Sequence, residues 1–122
     1  MALLYEELTA KILEACFEVS NELGAGFLEA VYQKALQLAL LQKGLEAKPQ
    51  YPLKVHFRGE VVGDYYADFF VEGKVIVEIK SVAGLAPEHQ AQVINYLKAS
   101  GVEVGLLVNF GRPKLEYRRL HK

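Results

Sequence analysis

Ala67-Asp68-Phe69-Phe70-Val71-Glu72-Gly73-Lys74-Val75-Ile76-Val77-Glu78-Ile79-Lys80 decides the reading of this 122-residue chain. Two apolar, β-rich runs flank a turn cluster at Glu72-Gly73, which is the pattern of a hairpin. Charges inside runs this apolar need a reason, because burying an unpaired carboxylate or ammonium is costly. Period two puts Glu78 and Lys80 on one face of their strand and Ile79 on the other. The face of Asp68 depends on the turn. A two-residue turn at Glu72-Gly73 pairs Val71 with Lys74 and sets Asp68 opposite Val77, away from Glu78. A three-residue loop, Val71-Glu72-Gly73 with Gly73 left-handed, pairs Phe70 with Lys74, Asp68 with Ile76 and Tyr66 with Glu78. We expect this second register, because it gathers the charges. It sets Asp68 diagonal to Glu78 on one face, and Asp64 opposite Lys80 as a further acid or a structural partner.

Outward from the hairpin, Pro49 and Pro52 suit an edge strand that ends near Val55 and Phe57, followed by a turn at Arg58-Gly59-Glu60. Upstream, Leu8, Ile12, Ala15, Val19 and Leu23 recur at helical spacing and predict a helix over about 4–22. After the breakers Asn21 to Gly26, the stripe Leu28, Val31, Ala35, Leu38 and Ala39 predicts a second helix, closed by Gly44. Downstream, Ala86-Pro87-Glu88 opens a third helix, with Pro in the first turn and an acid near its positive end; Gly101 ends it. Val102 to Asn109 is nearly continuous in apolar residues and suits a strand covered on both faces. A short strand follows Pro113. The order ααβββαβ(β) is an α/β (α+β) arrangement, a mixed sheet flanked by helices. No repeat or linker interrupts residues 1–122, so one domain is expected.

Composition narrows the function classes. The chain is 52% hydrophobic with a formal charge of −1, which argues against disorder and against a strongly basic, non-specific nucleic-acid binder. The one cysteine, Cys16, excludes an internal disulfide framework and suits a reducing compartment. No apolar run approaches the length of a spanning helix, and Glu6 and Glu7 interrupt any secretory signal; a cytoplasmic protein with no membrane partner is expected. The near-zero charge hides an asymmetry. Residues 112–122 are net +4 through Arg112, Lys114, Arg118, Arg119 and Lys122, and the rest is −5. That tail is a solvated terminal strand or a phosphate-facing edge beside an acidic site.

Asp68 and Glu78, with a backbone carbonyl, suit a hard cation such as Mg²⁺. Lys80 beside them could orient a water or offset phosphate charge in a displacement. Taken alone, the three read more readily as a paired structural network. Two helices add context. Glu29 lies near the start of the second helix, with Tyr32 a turn on. Gln92 and Tyr96 share a face of the third helix, with His89 one turn earlier. His89 has no second ligand at zinc spacing.

Gly26-x-x-Glu29-x-x-Tyr32, Ala67-Asp68, Glu78-Ile79-Lys80, Gln92-x-x-x-Tyr96 and Val108-Asn109-Phe110-Gly111, in that order, resemble the GxxExxY family, a branch of the PD-(D/E)xK nuclease superfamily. The resemblance covers nearly the whole chain and departs at Ala67, where the superfamily name has Pro. It implies a restriction-endonuclease-like αβββαβ core. It further implies Asp68, Glu78 and the Ile79 carbonyl as metal ligands, Lys80 as the catalytic lysine, and Glu29 as the helical acid. Gln92 and Tyr96 would support the site or contact nucleic acid. The expected activity is Mg²⁺-dependent (Mn²⁺ as an alternative) hydrolysis of DNA, before RNA. A catalytically inactive module binding nucleic acid or protein is the alternative, and a plain oligomerisation domain a third. Nucleic acid is the expected partner, held by Arg112, Lys114, Arg118 and Arg119. Gly105-Leu106-Leu107-Val108 and the C-terminal strand would support a homodimer.

Overall fold

A computed structural model describes residues 3–122. Its elements are α1 (Glu6–Leu23), α2 (Glu29–Gln42), β1 (Ala47–Phe57), β2 (Glu60–Val71), β3 (Val75–Lys80), α3 (Pro87–Ser100), β4 (Val104–Asn109) and β5 (Glu116–His121). The five strands form one mixed sheet in the order β1-β2-β3-β4-β5, with only β3 and β4 parallel. Parallel neighbours need a crossover, and α3 supplies it. The expected mixed sheet flanked by helices is what the chain forms. Pro49 and Pro52 sit in an edge strand, where a missing N–H costs no ladder bond. Val104–Asn109 is buried throughout, as its unbroken apolar run requires.

Each face of the sheet carries its own core. Ile12, Cys16, Leu36, Leu40, Phe69, Val77, Ile79, Leu106 and Phe110 pack between the sheet and α1/α2. Leu53, Ala67, Ile76, Tyr96 and Leu97 pack on the α3 side. The stripe expected on α2 holds only at Ala35 and Ala39, which pack on the core. Leu28, Val31 and Leu38 are exposed, whereas Tyr32, Leu36, Ala39 and Leu40 are buried. The helix is apolar on most sides, so periodicity alone could not choose its inner face. On α1, Ile12, Ala15 and Val19 are buried as expected, while Leu23 at the helix end is exposed.

The hairpin register also differs. Phe69 pairs with Val77, Phe70 with Ile76 and Val71 with Val75, so the loop is Glu72-Gly73-Lys74, one residue later than expected. Glu72 adopts a left-handed φ of 54° beside Gly73 at 64°. It is held there by two contacts to β1's entry: its carboxylate accepts the Glu46 N–H at 2.6 Å and its own N–H donates to the Glu46 carbonyl at 2.8 Å. The pairing of Asp68 with Ile76 and of Tyr66 with Glu78 is therefore overturned. Just beyond the last pair of this register, Asp68 and Glu78 still come together, each bonded to the other's strand. Asp64 does not oppose Lys80; it pairs with Lys54 of β1, 3.6 Å from its ammonium.

Gly105–Val108 offers nothing to a second copy. It is an interior strand paired on both sides, and a Cβ on Gly105 would lie 2.8 Å from Val93 Cγ1. Cys16 is a core residue too: burial pushes its thiol up to about 12, well away from a reactive thiolate.

Candidate active site

The site forms where the sheet comes apart. The β2–β3 ladder stops at Phe69 and Val77, and the β1–β2 ladder skips Gln50 and Asp68. Gln50 takes a left-handed φ of 49° at that gap. Asp68 thus sits at a break in both ladders, and the strand changes layers there: Phe69 faces the α1/α2 core and Ala67 the α3 core. The backbone groups released by the break must find partners. Two carboxylates provide them. Glu78 Oε1 accepts the Asp68 N–H at 2.8 Å, and Asp68 Oδ2 accepts the Ile79 N–H at 2.7 Å. Each acid caps the other's strand.

This reciprocal arrangement fixes both side chains and turns the Ile79 backbone toward β2. Lys80 O accepts the Phe110 N–H at 2.9 Å, so Lys80's backbone groups face β4 and those of Ile79 face the other way, toward Asp68. The Ile79 carbonyl is therefore aimed, with its N–H, into the gap.

Electrostatically the pair is under-compensated. Glu78 is 4% exposed, and burial first, then the Asp68 charge, push its carboxyl up to about 8. Asp68 is also raised, chiefly by burial, against which the Ile79 hydrogen bond pulls it down. Glu29 raises both acids and Lys80 lowers both. These mutual effects place Glu29, Asp68, Glu78 and Lys80 in one field. Among the described residues, the ion pairs within 4.0 Å involve other groups, so Lys80 is not spent on a carboxylate.

Glu29 reaches this field through a braced loop. Gly26 (φ 115°) precedes it, and the buried Tyr32 hydroxyl donates to the Gly24 carbonyl at 2.6 Å while accepting the Phe27 N–H at 3.2 Å. Tyr32 stacks on Phe110 at 4.8 Å, and Ser81 Oγ donates to the Phe27 carbonyl at 2.7 Å. The loop before Glu29 is so pinned to the residue after Lys80. On α3, Gln92 Nε2 donates to the Tyr96 hydroxyl at 3.1 Å. Burial first, then the Glu78 and Asp68 charges, raise that hydroxyl to about 12, so Tyr96 stays a neutral phenol beside the acids. His89 belongs to the helix start, where its Nδ1 accepts the Ala86 N–H at 2.9 Å.

The motif Asn109-Phe110-Gly111 braces the other side of Lys80. Asn109 is fully buried and satisfied: Oδ1 accepts Val82 N–H (3.0 Å) and Gly111 N–H (2.9 Å), and Nδ2 donates to Val82 O (3.0 Å) and Glu116 Oε1 (3.1 Å). A Cβ on Gly111 would lie 2.2 Å from Val82 O, so only glycine admits this approach. From sequence alone, Asn109 stands within the Val108–Gly111 motif without a role, and Glu116 is not singled out as a site residue. Their signal was an amide closing an otherwise apolar strand.

The basic tail does not form one patch. Arg112, Lys114 and Arg118 line a shallow hollow of about 300 Å³ with Glu116, which lies 3.6 Å from Arg118. Arg119 points to the opposite face of β5, where its guanidinium donates to Thr9 Oγ1 at 3.0 Å and to the Leu4 carbonyl. Strand alternation separates the two arginines. Because β3 and β4 are parallel, the 110–115 loop carrying Arg112 and Lys114 emerges at the same end of the sheet as Lys80.

The donor set fits a hard divalent cation. Asp68 and Glu78 each use one oxygen on a backbone N–H, Gln50 also lies close enough to pull the Asp68 carboxyl down, and a cation would relieve the repulsion that raises the pair. Among the described residues no three His, Cys, Asp or Glu side chains converge tightly enough to hold an ion alone. A site of two carboxylates, a carbonyl and solvent or substrate oxygens is the arrangement Mg²⁺ tolerates and a structural zinc does not.

Comparisons with known proteins bear on the family and the fold. A family model of the PD-(D/E)XK nuclease superfamily matches residues 6–120. No curated protein sequence matches. Among solved structures, that of SSO0001 superposes with a TM-score of 0.59 at 19% identity, over 97% of this chain and 59% of that one. An alkaline exonuclease from Laribacter hongkongensis superposes with a TM-score of 0.57 at 11% identity, over 100% of this chain and 72% of that one. The chain therefore spans little more than half of SSO0001, and at these identities the likeness is one of fold.

Proposed function

The chain belongs to the PD-(D/E)XK nuclease superfamily, and from that premise we propose that it is a divalent-cation-dependent nuclease of the GxxExxY branch, hydrolysing phosphodiesters of DNA before RNA. The observation that carries the reading is the reciprocal capping of Asp68 and Glu78 at the strand break, beside a lysine without an ion-pair partner. Structural carboxylates are normally neutralised; these are left raised and paired with each other. Such perturbed groups cluster at functional sites.

Asp68, Glu78 and the Ile79 carbonyl would hold the cation, with Mg²⁺ the favoured ion and Mn²⁺ a substitute. When bound, it would neutralise the acids and polarise the phosphodiester. The protein's own groups do the rest. The Lys80 ammonium, on the face of Glu78, orients the attacking water and offsets the negative charge that grows on the phosphate oxygens. Glu29, fixed through Tyr32 and Ser81, tunes the charge of the pair. Tyr96, held by Gln92, stays protonated and offers a hydroxyl donor next to Glu78. Arg112 and Lys114 attract the nucleic-acid backbone to this end of the sheet.

Incubating wild type and Lys80→Ala with single- and double-stranded DNA and RNA, with Mg²⁺ or Mn²⁺, tests the reading. Wild type should cleave and Lys80→Ala should lose at least about a hundredfold in rate, the usual scale for one electrostatic group. Equal inactivity of both proteins on every substrate would leave the scaffold as a binding module.

A further inference from the structure

The face of α3 that carries Gln92 and Tyr96 also lines a cleft that extends beyond them, away from the carboxylates. It has a volume of about 760 Å³ and lies between the distal half of the β1–β2 hairpin and α3. Tyr65 stands at its wall, 49% exposed, with its ring 5.9 Å from that of Tyr96. Gly63 makes room for it: a Cβ there would lie 3.0 Å from Tyr65 Cε2. Gln92 and Asn95 line the same space, its charged lining is limited to Glu88 and Lys98, and the His56 imidazole adds a further ring.

We propose that this cleft takes one unpaired nucleobase of the substrate, so that the nuclease acts on single strands or frayed ends. The inference rests on the nuclease reading and adds the substrate class to it. A groove for duplex backbone needs rows of cations; here an acid stands against the lysine. Aromatic rings and amides instead match what a base presents, a flat π-face and an edge of donors and acceptors. The volume is that of a small-ligand pocket. Position agrees as well, because Tyr96 joins the two sites: its ring faces Tyr65 and its hydroxyl lies in the field of Glu78 and Asp68. A base seated on Tyr65 would sit beside the phosphate being cut. A paired base cannot enter such a pocket without leaving its stack.

Binding without divalent ions separates this claim from cleavage. The probes are a fluorescent single strand of about 15 nucleotides, its blunt duplex, and a strand of equal length made of abasic sites. The normal strand should bind at least about tenfold tighter than either control, and Tyr65→Ala should remove about tenfold of that affinity, the scale of one lost stacking contact. Asn95→Ala should weaken it less. The salt dependence should be unchanged in Tyr65→Ala and reduced in an Arg112→Ala, Lys114→Ala double variant. If abasic and normal strands bind alike, or duplex binds as tightly and Tyr65→Ala has no effect, the base cleft is wrong whatever the cleavage assay gives. A base-dependent, Tyr65-dependent affinity without cleavage would leave the cleft standing and remove the nuclease reading.

Discussion

Two buried polar clusters flank the end of β3, and they are built on opposite principles. Around Asn109 four hydrogen bonds satisfy an amide completely, and no charge is buried without a partner. Across the strand, Asp68 and Glu78 satisfy two backbone N–H groups but repel each other, and the fold holds Glu78 at about 8. The first cluster stabilises the loop that follows Lys80. The second costs stability, on the order of 5 kcal/mol for Glu78 alone when it is fully ionised in the folded state. A fold keeps such a cost where a ligand relieves it. The contrast separates the brace from the site within one strand end.

Substitutions should therefore have opposite signs in the two clusters. The largest effect is expected at Gly111→Ala, whose Cβ would clash with the Val82 backbone; melting should fall by more than about 3 kcal/mol equivalent, or the protein should fail to fold. Asn109→Leu should cost about 2–4 kcal/mol in denaturant unfolding, because the Val82 and Gly111 N–H groups lose their acceptor. Glu78→Gln should do the reverse. It keeps an amide oxygen for the Asp68 N–H and removes the charge, so at pH 9 without divalent ions it should unfold at higher denaturant than wild type. A loss there comparable to that of Asn109→Leu would erase the distinction.

The pH dependence sharpens the same point. Glu78's folded value of about 8 lies above its ordinary 4.5. Between these the unfolded chain has released the proton and the folded chain still holds it, so stability falls as pH rises from about 4.5 to about 8 and then levels. Asp68 is shifted in the same direction. Metal-free wild type should thus melt lower at pH 9 than at pH 5.5, with the slope much reduced in Glu78→Gln. The smallest effect is expected at Tyr32→Phe. It leaves the Phe27 N–H without its acceptor and removes the bond to Gly24 O, for about 1–2 kcal/mol, together with slower cleavage as Glu29 loses its brace.

Much of this was legible from residues. Charge inside the apolar run Val75 to Lys80 marked the candidate site, Pro49 and Pro52 marked an edge strand, and the unbroken Val102 to Asn109 run marked a central one. What could not be read depended on distant partners. The hairpin loop moved by one residue because Glu72 is tied to Glu46, a contact across 26 positions. The inner face of α2 was hidden by its apolar residues on most sides, and contacts with Phe110, Gly24 and Phe27, distant or outside the helix, hold Tyr32 inward. Arg119 looked like a phosphate ligand until α1 claimed it. The strand break at Asp68 is a property of two ladders at once and leaves no local signature.

The central claim is that Asp68 and Glu78 hold a divalent cation, and melting at pH 8 with and without Mg²⁺ tests it most directly. A bound ion at a hundred times its Kd adds about 2.7 kcal/mol. Wild type should rise in Tm by several degrees on Mg²⁺ addition, while Glu78→Gln, folded and already stable, should not move. No shift in wild type, or the same shift in both proteins, would contradict the account.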